Sequence, residues 1–256
     1  MSLPRRAPAP AIEIVRRDGI AWLTLARPES QQRLDPELSG ALVDACAAVE
    51  HDDRTRVVVL TARGRVFSAG LPVGCAWPEP TWPDAVGAVG ALTKPVLAAL
   101  PGDALGWGLA LAMACDVRIA ARTARLALPE VGEGRLPGGG VTARLARTVG
   151  VARALELVLL GERLSAPRAV AWGLVRAAVD PGRLAAAAEA AARALAGRGP
   201  LALRLAKEAV VRALDLPLAE GMRLEHDLYV LLQTTADRRE GVRAFLARRP
   251  ARFRGR

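Results

Sequence analysis

Three short segments of this 256-residue sequence combine residue types that can do chemistry. Val66-Phe67-Ser68-Ala69-Gly70-Leu71 and Pro101-Gly102-Asp103-Ala104-Leu105-Gly106-Trp107-Gly108 are glycine-containing turns that follow apolar runs, and the second opens a helix pattern. Glycine lets the backbone turn tightly and lets a ligand approach the amides. At a helix start those amides are donors with no acceptor inside the helix, at the positive end of its dipole. Two such turns facing each other make an oxyanion hole, where a thioester enolate can be stabilised. The third segment runs from Leu128 to Gly140 (LPEVGEGRLPGGG) and places the carboxylates of Glu130 and Glu133 between a strand and a helix start. Any one glycine turn alone reads as no more than a turn, and neither has the spacing of a dinucleotide fingerprint or a phosphate-binding loop with its lysine. The weight comes from all three occurring in this order.

Other chemistries have less to work with. Cys46, Cys75 and Cys115 form no paired spacing, and only His51 and His226 could join them, so zinc sites, disulfide frameworks and histidine-based nucleophiles find no support. A reduced, cytoplasmic setting and no bound metal are expected. The net charge is +10, from 36 basic residues of which only Lys94 and Lys207 are lysine. Such an excess favours anionic partners. The arginines are nevertheless scattered, apart from a tail that includes Arg248, Arg249, Arg252, Arg254 and Arg256, so nucleic acid is not the expected partner. No run of eighteen apolar residues lacks a charge or a breaker, and Met1 to Pro10 carries no apolar core that would make it a signal peptide.

The elements that must position these residues are readable in part. Ile12–Val15 and Ile20–Leu25 flank Asp18-Gly19, which predicts a hairpin. Asp35-Pro36 caps a helix with Leu38, Leu42, Ala45 and Val49 on one stripe. The apolar runs Val57–Leu60, Pro95–Leu100 and Val117–Ala120 predict strands buried on both faces, as in a parallel sheet. A small-residue helix is expected over Leu105–Ala114, helices dominate from Leu145, and a short strand is expected over Leu174–Val179. The alanine-rich run Leu184–Ala196 predicts a further helix, and Gly197-Arg198-Gly199-Pro200 is the best internal boundary. The division is a loose arm over 1–10, an α/β core over 11–198 and a helical region over 199–256.

Phe67-Ser68-Ala69-Gly70, Gly106-Trp107-Gly108 with Ala114-Cys115-Asp116, and Pro129-Glu130 with Pro137-Gly138-Gly139-Gly140 resemble, in this order, the motifs of the crotonase, or enoyl-CoA hydratase/isomerase, family. Arg27-Pro28, Ala171 to Val175, Asp237 to Gly241, Phe245 and Arg249-Pro250 extend the resemblance along nearly the whole chain. It implies an α/β fold built as a spiral of ββα units, with C-terminal helices that assemble trimers or dimers of trimers. It implies an acyl-CoA substrate, no separate cofactor, Glu130 as the catalytic base, and the backbone amides of Leu71 and Trp107 as oxyanion donors. Ala69, Gly70, Leu71, Pro72, Val73 and Gly74, with Gly106 and Trp107, would line the thioester and pantetheine path.

Four departures stand out. Ala110 occupies the position of the second glutamate of the family's hydratases, Pro72 that of a common aspartate, and Gln32-Arg33 that of Asn-Ala; the segment from Leu71 to Thr93, with Trp77-Pro78 and Trp82-Pro83, is short. Glu133 is a second candidate acid, weighed against a solvated loop acid paired with Arg135. With one family carboxylate retained, moving a double bond is easier to rationalise than adding water, which two groups assist. The expected function is therefore acyl-CoA chemistry with isomerisation slightly preferred over hydration. The alternative is a non-catalytic acyl-CoA-binding or RNA-binding protein on the same scaffold.

Overall fold

The computed structural model describes residues 10–75 and 81–256; residues 1–9 of the expected arm and Trp77-Pro78 lie outside the described residues. The hairpin forms as β1 (Ile12–Arg17) and β2 (Ile20–Leu25), with Asp18 and Gly19 at φ 52° and 76°, the left-handed pair that a tight hairpin turn demands. The Asp35 side chain accepts the Leu38 N–H at 2.7 Å and starts α1 (Pro36–Glu50) with Pro36 in its first turn. Strands β3 (Val57–Ala62), β5 (Val96–Leu100), β7 (Val117–Ala121) and β10 (Ala177–Val179) complete a six-stranded sheet of order β1-β2-β3-β5-β7-β10, parallel throughout except for the hairpin.

Both faces of this sheet are covered, which is why its strands read as continuous apolar runs. Successive side chains alternate, so Val57, Val59, Leu97 and Ala99 meet Ala188 and Ala192 of α7 (Leu184–Ala196), while Val58, Leu60, Val96 and Ala98 join the main core with Leu38, Leu42 and Leu109. On α7 the buried residues Leu184, Ala188, Ala192 and Ala196 recur every four positions, one stripe of a helix.

A second sheet was not foreseen in the sequence. Strands β4 (Val66–Ser68), β6 (Asp103–Leu105), β8 (Arg125–Ala127) and β9 (Leu164–Ser165) pair in that order, and each is two or three residues long. Leu105 thus ends a strand, and α3 runs only over Trp107–Ala114. The expected strand over Leu174–Val179 shortens to β10, because Leu174 and Val175 are buried in the turn where both amides donate to Ala169 O. The short α2 (Ala85–Ala91) packs against α1 and α3; α4 (Val141–Val149), α5 (Val151–Leu160) and α6 (Ala166–Ala171) follow.

Beyond Gly199 come α8 (Pro200–Ala213), α9 (Leu218–Gln233) and α10 (Ala236–Leu246). The basic tail folds back on α10: the Asp237 carboxylate accepts the amides of Arg254 and Gly255 at 2.7 and 2.8 Å, and Glu240 pairs with Arg249. Arg249, with the Arg252 amide, holds the Glu240 carboxyl down at about 2. No helix among the described residues is long and apolar enough to cross a membrane.

Candidate active site

The first turn is held almost completely by the segment before α1. The Ala69 N–H donates to Gln31 O at 3.0 Å, and Gly70 O accepts from the Leu34 N–H at 2.8 Å. The Gly70 N–H donates to Ser68 Oγ at 3.2 Å, and that hydroxyl, fully buried, donates to Gln32 O at 2.8 Å. The Ala69 and Leu71 carbonyls accept from Arg33 Nη1 at 3.3 and 2.6 Å. Of the six backbone N–H and C=O groups of residues 69–71, only the Leu71 N–H has no partner among the described residues. A buried donor of this kind is rare unless a ligand or water meets it.

The second turn faces the first. A Cβ on Gly70, at φ 85°, would come within 2.9 Å of Leu105 O and 3.3 Å of the Trp107 amide nitrogen. Gly106 caps α3 at φ 53°, ψ −122°, a conformation open only to glycine, and its N–H donates to Ala127 O at 2.9 Å. Trp107 is therefore the first residue of α3, where helix amides point outward from the N-terminus. Its indole lies against Gly138 and Gly139, whose lack of side chains makes room for it.

Glu130 lies in a short 3-10 turn, Pro129–Glu133, that follows β8. It is 3% exposed, and its Oε1 lies so close over Gly106 that a Cβ there would overlap it. Its Oε2 is buried with no hydrogen-bond partner among the described residues. Burial pushes the Glu130 carboxyl above the ordinary glutamate range; its own backbone amide and the Arg135 charge oppose that shift, and the Glu133 charge adds to it. Glu133, by contrast, is exposed and ion-paired with Arg135. The two acids of the segment thus occupy different environments, and only Glu130 is buried.

A pH dependence follows with opposite signs for the two neighbours. Glu133→Gln removes a like charge, so the pH at which Glu130 ionises is expected to fall; Arg135→Gln removes an opposite charge, so it is expected to rise. Titrating Glu130 by carboxyl-carbon NMR in each variant checks this. Shifts in the same direction for both variants would contradict the arrangement.

All the predicted site residues meet in one place. Ala69, Gly70, Leu71, Pro72, Val73, Gly74, Gly106, Trp107, Glu130 and Glu133 line a single cleft of 540 Å³. Arg33, Arg135, Arg163 and Cys75 line it too; of these the sequence had flagged Arg33 only as a departure, and Cys75 and Arg163 carried no signal. Ala110 does not reach the cleft: it is fully buried, and a Cβ on Gly139 would sit 2.9 Å from its own. A hollow of 670 Å³ under the C-terminal tail shares none of the cleft residues, and its carboxylates are already paired with the tail. Among the described residues no group of three or more His, Cys, Asp or Glu is placed to hold a metal ion.

The family profile described as enoyl-CoA hydratase/isomerase matches residues 15–256. The chain belongs to the enoyl-CoA hydratase/isomerase, or crotonase, family. It is 38% identical over 250 residues to the (E)-benzylidenesuccinyl-CoA hydratase of Thauera aromatica, covering 92% of this chain and 96% of that protein. It is 38% identical over 250 residues to the 1,2-epoxyphenylacetyl-CoA isomerase of Escherichia coli K12, covering 93% and 95%. The crystal structure of an enoyl-CoA hydratase subunit I from Geobacillus kaustophilus HTA426 superposes with a TM-score of 0.90 at 38% identity, over 96% of this chain and 98% of that one. At that TM-score the two chains share one overall α/β fold.

Proposed function

We propose that this family member acts on enoyl-CoA thioesters by proton transfer through Glu130, with double-bond isomerisation slightly favoured over hydration. The observation that carries the reading is the buried Glu130 carboxylate, with an unpartnered oxygen, beside two facing turns of which one presents the unbonded Leu71 amide. In this reading the thioester oxygen accepts the Leu71 and Trp107 amides. Glu130 removes a proton from one carbon of the allylic system, the electron pair moves onto the thioester oxygen, and the enolate collapses as Glu130 returns the proton to the other carbon. Both donors are backbone amides, so the large Trp107 side chain does not remove its own. The arginines Arg135 and Arg163 at the mouth suit the phosphates of coenzyme A, which is part of the substrate and not a separate cofactor.

Two features favour one base over two. Ala110 leaves the hydratases' second carboxylate position empty of acid and closed from the cleft, and Glu133 is engaged with Arg135. Parallel turnover assays on 2-enoyl-CoA and 3-enoyl-CoA thioesters test the reading. Conversion of the 3-enoyl to the 2-enoyl isomer outpacing hydration supports it; hydration as the faster reaction reverses the preference, and no turnover of either would leave an acyl-CoA binder.

The same reading includes assembly as a homotrimer or dimer of trimers. The C-terminal helices and the turn after α8 expose Val210, Leu214, Met222, Tyr229, Phe245 and Leu246, large apolar side chains of the kind an interface between copies covers. Sedimentation velocity measures it, and a monomer at micromolar concentration would exclude it.

A further inference from the structure

Arg33, in the wall of the cleft, spends its charge on the protein backbone. Arg135 pairs with Glu133 and Arg163 with Asp103, whereas Arg33 forms no salt bridge among the described residues and gives Nη1 to the carbonyls of Ala69 and Leu71. Those carbonyls flank the peptide that joins Gly70 to Leu71. In a trans peptide the N–H points opposite to the C=O, so the direction of the Leu71 N–H is the direction of that one plane. Gly70 has no side chain to resist rotation of the plane, and Pro72 contributes no amide that could anchor the far side. The plane is therefore fixed by three contacts from outside: the Leu34 N–H on Gly70 O, and Arg33 on either side.

The loop that carries Arg33 is itself rigid. Gln31 and Gln32 both stand at φ 55°, the left-handed region that non-glycine residues avoid. Gln32 tolerates it because its fully buried amide is tied at both ends, Oε1 accepting the Arg27 N–H at 2.7 Å and Nε2 donating to Arg63 O at 2.9 Å. The bond from Arg33 to Leu71 O, at 2.6 Å, is charge-assisted and short, the kind that holds a geometry rather than merely permitting it.

We infer that Arg33 is a positioning residue that locks the Gly70–Leu71 peptide with its N–H toward the thioester oxygen. The inference rests on the proposed role of the Leu71 amide. Arg33 itself touches neither substrate nor the reacting proton in this account. Its loss is therefore expected to lower kcat and the polarisation of the bound thioester, with little change in KM.

The test uses a conjugated 2-enoyl-CoA, whose absorbance moves to longer wavelength when its carbonyl is polarised in an oxyanion hole, alongside steady-state kinetics on the full chain. Arg33→Met keeps the bulk of the side chain and removes the donors. It is expected to reduce the red shift and to lower kcat roughly tenfold to a hundredfold, as for a misaimed oxyanion donor. Arg33→Lys, whose ammonium can reach one of the two carbonyls, is expected to restore part of both. A red shift and kcat matching the parent in Arg33→Met would overturn the inference while leaving the hole intact. A raised KM with unchanged kcat would overturn it by making Arg33 a substrate contact. Absence of a red shift in the parent would defeat the oxyanion reading and this inference with it. If Arg33→Met does not fold, Arg33→Lys decides alone: a diminished red shift and kcat support the lock, and parental values of both overturn it.

Discussion

Glu130→Gln is expected to lower turnover of an enoyl-CoA thioester by about a thousandfold, within the range contributed by a positioned acid-base group, while thioester binding survives. The amide keeps the shape of the side chain but cannot take up a proton at neutral pH, and the amides of the two turns are left untouched. The effect on stability is expected to depend on pH. Burial raises the Glu130 carboxyl above its ordinary range, so its protonated form is the one the fold favours. The stabilising contribution of that proton is present at pH values below the unfolded pKa and is lost as pH rises through the folded one. Glu130→Gln has no carboxyl to lose a proton there, so its unfolding temperature should rise relative to the parent's as the pH is raised through that range. Thermal unfolding at neutral and acidic pH, with steady-state turnover and calorimetric titration of a thioester, checks all three. Turnover near that of the parent would move the base elsewhere, with Glu133 the first place to look.

The contrast between Glu130 and Glu133 shows what the sequence could and could not convey. That a carboxylate follows a strand and precedes a helix start was legible, because the apolar residues before it and the glycines after it are local signals. Which of the two acids is buried was not, because that is decided by Gly106, 24 positions earlier in the chain, whose bare backbone accepts Oε1. The long sheet was legible for a similar local reason: strands covered on both faces must be apolar at every position, and Val57–Leu60 is. The short sheet was not, since β4, β6, β8 and β9 have too few residues to show a period of two. They exist through pairing across the chain, such as Ser68 with Ala104 and Leu105 with Ala127, and that pairing is what brings the two turns and Glu130 together. Arg33 illustrates the same limit. In the sequence it is a departure from a pattern; only when residues 31–34 lie against 69–71 does its guanidinium acquire a task.

Gly106→Ala is the second substitution expected to have a large effect, and two costs must be separated to read it. One is backbone strain: φ 53°, ψ −122° is a glycine conformation, and forcing it on an L-residue costs about 1–3 kcal/mol. The other is steric, since the new Cβ would occupy the place of Glu130 Oε1. Gly134→Ala isolates the first kind of cost, because Gly134 stands at φ 70° in the same segment as Glu130 with nothing within 4 Å of its Cβ position. It is expected to lose about 1 kcal/mol of stability and to keep most of its turnover. Gly106→Ala is expected to lose stability and at least about a hundredfold in turnover, the scale of a catalytic group displaced by about 1 Å. If the activity loss arises from moving Glu130, it should disappear in a background where that group no longer acts. Gly106→Ala added to Glu130→Gln should then lower the residual turnover far less than it lowers that of the parent, a coupling that a double-mutant cycle measures directly. Additive losses would instead mean that Gly106 serves the site through the start of α3 and the Trp107 amide, independently of the carboxylate above it.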